Sequence, residues 1–285
     1  MTQLKRSIAI AMGTMMVMPV WAKSVDVYGK ANLSVQSSDE GSGSFTEVKS
    51  NASRIGLKGN KKLSDSLTVV YKAEFQVDMS DDEKDNIKAR NQYVGLKGNF
   101  GEILLGRKDT ALKVSQGKTD LFSDYEADIK VLFKGENRMS DSVNYTSPKF
   151  GQFQVSASYI AEDSPEGKDG VSIAASYGDA KLKKSKFFAS VAMDNDVKEY
   201  DVVRATVQGK LGGVILGGMY QTQESADGKE ADGFMVNAQY KINKVNLKAQ
   251  YQMIEHDGSN EENSGVTLGA DYKLGKNTKL FAFFT

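Results

Sequence analysis

The sequence predicts an all-β fold, a transmembrane antiparallel β-barrel, on three observations. First, about fifteen segments alternate apolar and polar residues with a period of two, and most have the roughly ten residues that a tilted strand needs to cross a bilayer. Second, short turns alternate with long polar connections along the chain. Third, no segment after residue 22 approaches the ~18 consecutive apolar residues of a membrane-spanning helix.

The first 22 residues predict a secretory signal peptide. Lys5 and Arg6 form a basic start, an apolar run follows over residues 8–20, and cleavage is expected after Ala22. The apolar run is too short for the alternative, a membrane-spanning helical anchor. Cleavage would remove two of 37 basic residues and none of 37 acidic ones, so the net charge becomes 35 − 37 = −2. This near-neutral balance gives no reason to expect nucleic-acid binding.

Residues 23–285 are expected to form one barrel domain. The predicted strands span 25–37, 51–61, 66–77, 89–99, 102–107, 141–147, 152–161, 170–177, 186–194, 200–210, 213–222, 232–242, 244–255, 264–274 and 278–285. The short predicted connections are 99–101, 210–212, 242–244 and 275–277, and the long ones are 38–50, 78–88, 161–169, 222–231 and 255–263. Short turns at one end and long loops at the other are typical of outer-membrane barrels. A soluble β-sandwich is the alternative, but it has no reason to alternate its loop lengths.

The longest segment without strand alternation lies at about residues 108–140, between two predicted strands. A structureless loop of this length inside a compact domain is usually a functional one. It carries four acidic residues: Asp120, Asp124, Glu126 and Asp128. We expect the loop to fold into the barrel lumen and to narrow it.

Alternation also predicts which basic side chains point into the lumen. Successive side chains of a strand face opposite sides, and a cation facing lipid at the membrane midplane costs about 2–4 kcal/mol. On this basis Lys30, Arg54, Arg90 and Arg138 are expected to line the wall opposite the loop. The same reasoning leaves the direction of Arg107 open. Opposed rings of charge of this kind set the selectivity of pores.

The composition excludes several kinds of chemistry. The chain contains no cysteine and a single histidine, His256, so thiolate or multi-histidine metal sites are excluded, and we expect no metal and no cofactor. A barrel-embedded hydrolase stays open as an alternative, because His256 lies near Glu255, Asp257 and Ser259. A surface adhesin or receptor that uses the acidic loops is another alternative. The leading interpretation is a passive pore rather than an enzyme.

Five motifs of the chain resemble those of the Gram-negative general diffusion porins, and the resemblance covers essentially all of residues 24–285. These motifs are VDVYGKANLSV (25–35), NASRIGLKG (51–59), ARNQYVGLKGNFGEILLGRKDT (89–110), GENRMSDSVNYTSPKFG (135–151) and LGADYKLGKNT (268–278). The resemblance implies a sixteen-stranded, trimeric barrel in the outer membrane, in contact with lipid and lipopolysaccharide, that passes ions and small hydrophilic solutes. It also implies a constriction at the inward-folded third loop, where acids face a basic wall.

Carried over by motif, the implied basic wall is Lys30, Arg54, Arg90 and Arg138. Asp120 and Asp124 match the loop acids best, with Glu126 and Asp128 beside them. The family closes with a strand that ends in an aromatic residue, whereas this sequence stops at Thr285 within its fifteenth predicted strand. We therefore expect the closing strand to be missing from the sequence. A pore selective for a sugar or an anion is the alternative within the resemblance, and the sequence leaves the sign of ion selectivity open.

Overall fold

The computed structural model describes residues 25–39, 41–81, 85–165, 167–258 and 262–285, so the predicted signal peptide lies outside the described residues. The strands in this part of the chain are β1 (Val25–Lys30), β2 (Leu33–Asp39), β3 (Ser44–Ser50), β4 (Arg54–Lys62), β5 (Leu67–Val77), β6 (Ile87–Gly98), β7 (Gly101–Asp109), β8 (Arg138–Thr146), β9 (Phe153–Ile160), β10 (Gly170–Gly178), β11 (Phe187–Asn195), β12 (Tyr200–Leu211), β13 (Val214–Ser225), β14 (Glu230–Ile242), β15 (Val245–His256), β16 (Glu262–Lys273) and β17 (Lys279–Phe284). Two short helices, α1 (Ala111–Ser115) and a 3-10 helix (Ile129–Val131), lie between β7 and β8. Neither of these helices is long and apolar enough to cross a membrane.

Fifteen strands form one antiparallel sheet, in which β1 pairs with β4 and every later strand pairs with the next along the chain. The strands β2 and β3 form a separate two-stranded sheet that continues the β1–β4 hairpin. The hairpin bends where the two sheets meet: the amide of Asn51 donates to the carbonyl of Asn32 (2.7 Å), and the amide of Asn32 donates to the hydroxyl of Ser53 (2.9 Å). The first predicted strand, 25–37, is therefore β1 and β2 with an interruption.

The sheet is polar on its buried side and apolar on its exposed side. In β11, Ser190 and Asp194 are buried, whereas Val191 and Met193 are 59% and 46% exposed. A soluble β-sandwich buries its apolar face, so this inverted pattern excludes the sandwich alternative. It is the pattern expected of a barrel with lipid outside and a polar interior.

Several strands extend further than the sequence predicts. The predicted connection 38–50 contains β3, and the connections between β13 and β14 and between β15 and β16 shrink to residues 226–229 and 257–261. Strand pairing continues through polar residues there, as in the facing pair Glu224 and Glu230. Backbone hydrogen bonds extend a ladder regardless of apolar side chains, which is why hydropathy alone ends these strands too early. The alternation of loop length is consequently weaker than predicted.

The segment between β7 and β8 packs inside the sheet through three apolar clusters. The first joins Ala111 and Leu112 to Ala174, Ala192 and Val202; the second joins Ile129 and Phe133 to Met219, Ala231, Met235 and Ile254; the third joins Phe122, Tyr125 and Ala127 to Phe281 and Phe283. These contacts reach β10–β12, β13–β15 and β17. Because one segment contacts strands so far apart in the sheet order, the sheet must curl around it as a barrel wall.

Candidate functional site

The inward segment, which we call the inner loop, comprises residues 110–137. Sequence analysis predicted about 108–140; the structure assigns residues 108–109 to β7 and 138–140 to β8. The loop begins with a capped helical turn, because the hydroxyl of Thr110 accepts a hydrogen bond from the amide of Lys113 (3.3 Å). The inner loop thus starts and ends on neighbouring strands of the wall.

Polar side chains of β14 and β15 hold the backbone of the inner loop on the far side of the lumen. Asn237 donates to the carbonyl of Thr119 (2.5 Å). Gln250 accepts from the amide of Leu121 (3.0 Å), and the ammonium of Lys248 donates to the carbonyl of Leu121 (3.2 Å). These bonds satisfy loop backbone groups that would otherwise be buried without partners, so the loop is fixed at a distance from both its ends.

Arg204 of β12 forms a second attachment, which sequence analysis did not identify. Its side chain is fully buried and makes an ion pair with Glu136 of the inner loop (2.6 Å). It also donates to Gln221 (2.7 Å) and to the carbonyl of Lys134 (3.0 Å). A buried guanidinium requires this degree of pairing. Its place between the outward-facing Val203 and Ala205 was the available sequence signal.

Asp124 faces two wall cations. Lys30 and Arg54 are directly opposite each other in the β1–β4 register, a like-charge pair that is destabilising alone. One carboxylate oxygen of Asp124 lies 3.3 Å from the Lys30 ammonium and 2.6 Å from the Arg54 guanidinium. Burial raises the pKa of Asp124, but Arg54 and Lys30 outweigh burial and hold the pKa below its usual value. Its φ of 73° is a conformation that aspartate tolerates better than most residues.

Glu126 faces the upper part of the first hairpin. It makes an ion pair with Lys49 of β3 and accepts a hydrogen bond from Gln36 of β2 (3.3 Å). Burial raises the pKa of Glu126, but the contacts with Lys49 and Gln36 lower the pKa by more than burial raises it. The pKa is therefore below its usual value, and the carboxylate stays ionised. Sequence analysis missed Lys49 because it assigned that residue to a loop.

The other two predicted wall cations pair with acids of the wall rather than with the inner loop. Arg138 lies 2.9 Å from Asp109, which is its direct neighbour in the β7–β8 register. Arg90 lies 3.1 Å from Glu74 and donates to Gln76 (2.9 Å). Of the four predicted wall cations, Lys30 and Arg54 therefore make ion pairs with an acid of the inner loop, and Arg90 and Arg138 make ion pairs with acids of the wall.

Asp120 and Asp128 fold the inner loop on itself. Asp120 accepts from the amides of Phe122 (2.9 Å) and Ile129 (3.3 Å), and burial of its carboxylate raises its pKa to about 7. Asp128 is 6% exposed and accepts from the amides of Asp124 (2.8 Å) and Lys130 (2.9 Å). Sequence alone could not distinguish Asp120 and Asp128, which bond within the loop, from the two acids that contact the wall, because all four occur within nine residues.

Arg107, whose direction the sequence left open, donates to the hydroxyl of Ser140 (2.8 Å). The β7–β8 register shifts between Gly106 and Lys108, so simple alternation does not apply there. His256 ends β15 opposite Ala231, and Ser259, the nucleophile of the hydrolase alternative, lies outside the described residues.

A cavity of about 770 Å³ lies between the inner loop and the strands β1 and β3 to β8. Its lining contains the four predicted wall cations and three of the four predicted loop acids, and Asp120 is not part of it. Eight basic and five acidic residues line the cavity: Lys30, Lys49, Arg54, Arg90, Lys113, Lys118, Lys130 and Arg138, with Asp109, Asp124, Glu126, Asp128 and Glu136. A cavity with this lining suits water and hydrated polar solutes rather than an apolar ligand.

The chain matches the family model described as Gram-negative porin over residues 7–285. It therefore belongs to the Gram-negative porin family, whose members are outer-membrane β-barrels. It is 33% identical over 128 residues to the major outer membrane protein P.IB of Neisseria sicca, an alignment that covers 44% of this chain and 36% of that protein. It is 24% identical over 270 residues to the monosaccharide porin of a Halomonas species, covering 88% and 68%.

Solved structures of porins share the fold. The anion-selective porin from Comamonas acidovorans has a TM-score of 0.73 at 19% identity, covering 90% of this chain and 86% of that one. The trimer form of OmpT of Vibrio cholerae has a TM-score of 0.71 at 20% identity, covering 91% and 87%. The antiparallel barrel architecture and an outer-membrane location follow from the family match and these neighbours.

Proposed function

We propose that this protein is a porin through which ions and small hydrophilic solutes diffuse passively across the outer membrane, with the inner loop as its constriction. The observation that carries the proposal is the charged cavity between the inner loop and the wall. It is polar, it is lined by fixed charges, and its loop side is attached to the wall at several points.

The proposed mechanism requires no conformational change. A hydrated solute passes through the cavity, along the charged side chains of the wall and of the inner loop that line it. These charges are held by ion pairs and backbone hydrogen bonds, so they present a permanent field across the passage. Fixed charges of this kind filter solutes by size and charge without binding any one of them tightly.

Single-channel recording in a planar bilayer tests the proposal. We expect uniform, ohmic current steps whose size follows bulk conductivity over a wide salt range, because passive diffusion has no binding step to saturate. Absence of steps, or a current that saturates at low salt, would contradict free diffusion. Val191→Ala changes a residue on the outer face without changing any charge, so it serves as a control that should give the same current steps.

A sugar-preferring pore is a second candidate, and one observation favours it. The ring of Tyr125 lies 4.8 Å from that of Phe281 and 5.3 Å from that of Phe283, on the lumen side of β17. The rings of Phe281 and Phe283 are half-buried, so each leaves part of its surface available to stack on a sugar ring, and one relative is named a monosaccharide porin. Transient block of the current by a monosaccharide, reduced in Phe281→Ala, would support it, whereas unchanged current would leave simple diffusion.

We further propose that the barrel works as a homotrimer in contact with lipid and lipopolysaccharide. Val27 of β1 and Ile55 of β4 are 76% and 53% exposed on the outer face, where lipid or another subunit would cover them. One structural neighbour is described as a trimer form. A mass of three chains in detergent would agree with this proposal, and a monomeric mass would contradict it. We propose no catalytic activity; the hydrolase and adhesin alternatives stay predictions.

A further inference from the structure

The charges that line the cavity do not balance. Its lining carries eight basic and five acidic residues, a difference of 8 − 5 = +3. Two of these charges, Arg90 and Glu136, pair with Glu74 and Arg204, which lie outside the lining, and they cancel each other in the count. The positive surplus must therefore come from the remaining residues.

Asp124 accounts for the first unit of surplus charge. Its carboxylate contacts both Lys30 and Arg54 through the same oxygen atom, so one negative charge serves two positive ones. Lys30 retains substantial exposure, with 43% of its side chain accessible. This group of three residues has a net charge of +1.

Asp109 accounts for the second unit. One of its carboxylate oxygens lies 2.9 Å from the Arg138 guanidinium and 3.5 Å from the Lys113 ammonium. Here too one acid serves two cations, one on the wall and one on the inner loop. Arg138 is 14% exposed and Lys113 is 23% exposed at the side chain, so both charges remain fixed in the lining.

Lys118 accounts for the third unit. It is an exposed residue of the inner loop, and no carboxylate of the described residues lies within ion-pair distance of its ammonium. The other basic residues of the lining are balanced: Lys49 pairs with Glu126, and Lys130 pairs with Asp128 (3.7 Å). The surplus is thus located at two three-residue groups and at one lysine.

We propose that the constriction prefers anions, and that small phosphate- or carboxylate-bearing solutes are the class it favours. The inference rests on the pore function proposed above. A fixed net positive charge in a narrow passage raises the local concentration of anions and lowers that of cations. The net charge of the chain after residue 22, which is −2, does not indicate this preference; the preference follows from which charges line the cavity.

The reversal potential across a KCl gradient measures this preference directly. With the chain in a planar bilayer, we expect chloride to be more permeable than potassium. Lys118→Gln removes the unpaired charge from an exposed position, and we expect it to lower the chloride-to-potassium permeability ratio about twofold, the size of one charge acting over several ångströms of water at ~0.1 M salt. Lys184→Gln, the same change in the exposed turn between β10 and β11, is the matched control and should leave the ratio unchanged.

Asp124→Asn provides the opposite change and a second test. Asparagine tolerates the same backbone conformation, and it leaves Lys30 and Arg54 without their shared acid, so the ratio should rise about twofold. Channels that prefer potassium, or equal ratios in Lys118→Gln and Lys184→Gln, would overturn the anion preference and leave the pore in place. Absence of any channel would overturn the pore itself, and the preference with it.

Discussion

At the scale of single residues, the arrangement of the interior depends on the ion pairs and hydrogen bonds of individual charged side chains. Arg204 is the most deeply buried charged side chain of the wall, and its ion pair with Glu136 joins β12 to the inner loop. Asp124 joins the loop to β1 and β4, and Asp120 joins the loop to itself. Each attachment depends on one side chain, so each can be removed by one substitution.

Replacing Arg204 by methionine should destabilise the protein strongly. The substitution leaves Glu136 buried without its counter-charge, for which we expect a loss of about 3–5 kcal/mol in the free energy of unfolding. Urea unfolding in lipid vesicles, followed by far-UV circular dichroism, measures the loss. Adding Glu136→Gln to the Arg204→Met variant should recover part of it; a double variant as unstable as the single one would contradict this explanation.

The carboxyl of Asp120 should make stability depend on pH near neutrality. Burial raises the pKa of Asp120 from the ordinary value near 3.9 to about 7. Between these two pH values the carboxyl is protonated in the folded state and ionised in the unfolded chain. This contribution to stability is therefore complete below pH ~4 and is lost as the pH rises to about 7.

Asp120→Asn removes this titration. We expect the variant to gain stability relative to the original chain as the pH rises from about 4 to 7, at up to ~1.4 kcal/mol per pH unit. Unfolding measured across that range for both chains tests the expectation. A constant difference between the two chains would show that Asp120 titrates normally.

At the scale of elements, the inner loop is held by long-range packing rather than by its own secondary structure. The α1 helix has five residues and the 3-10 helix has three, which is too short for either to be stable alone. Phe133 and Ile129 stabilise this part of the loop by packing, since both are buried against Met219, Met235 and Ile254.

Phe133→Ala should release part of the inner loop while the barrel stays folded. The cavity left by the ring weakens loop attachment by about 3–5 kcal/mol. We expect faster proteolysis within residues 119–137 and noisier single-channel current. Val131→Ala, at a position 60% exposed in the same loop, is the control. Equal cleavage rates in the two variants would contradict the role of Phe133.

At the scale of the whole molecule, the protein inverts the usual distribution of polarity. The wall buries Ser190, Thr206 and Gln208 and exposes Val203 and Val207. This distribution is stable only where lipid covers the outer face, because exposed apolar surface of this extent in water would favour aggregation. The interior is then free to hold charges, which the apolar core of a soluble barrel could not do.

Val191→Lys tests this orientation. Val191 lies in the middle of β11 on the outer face, so a lysine there should cost about 2–4 kcal/mol in a bilayer. The same change on a water-exposed strand would alter stability by only about 0.5 kcal/mol. Equilibrium unfolding from vesicles, with Val191→Ala as the control, separates the two cases. A difference within the smaller figure would place this face outside the lipid.

The sequence by itself determined the strands and the inward direction of Lys30 and Arg54. Both depend on the two-residue period of a strand, which is a local property of the chain. Strand ends were less predictable, because β3 and the extended ends of β13 to β16 pair through polar residues. Alternation also gave no direction for Arg107, which lies at a shift in register.

Only the tertiary structure decided which charges meet. Arg54 and Asp124 are seventy residues apart in sequence, and their contact depends on three apolar clusters that fix the inner loop. The same packing buries Asp120, leaves Lys118 exposed and turns Arg90 and Arg138 toward wall acids. The surplus of positive charge in the cavity is thus a consequence of long-range packing, because the sequence as a whole carries equal numbers of basic and acidic residues.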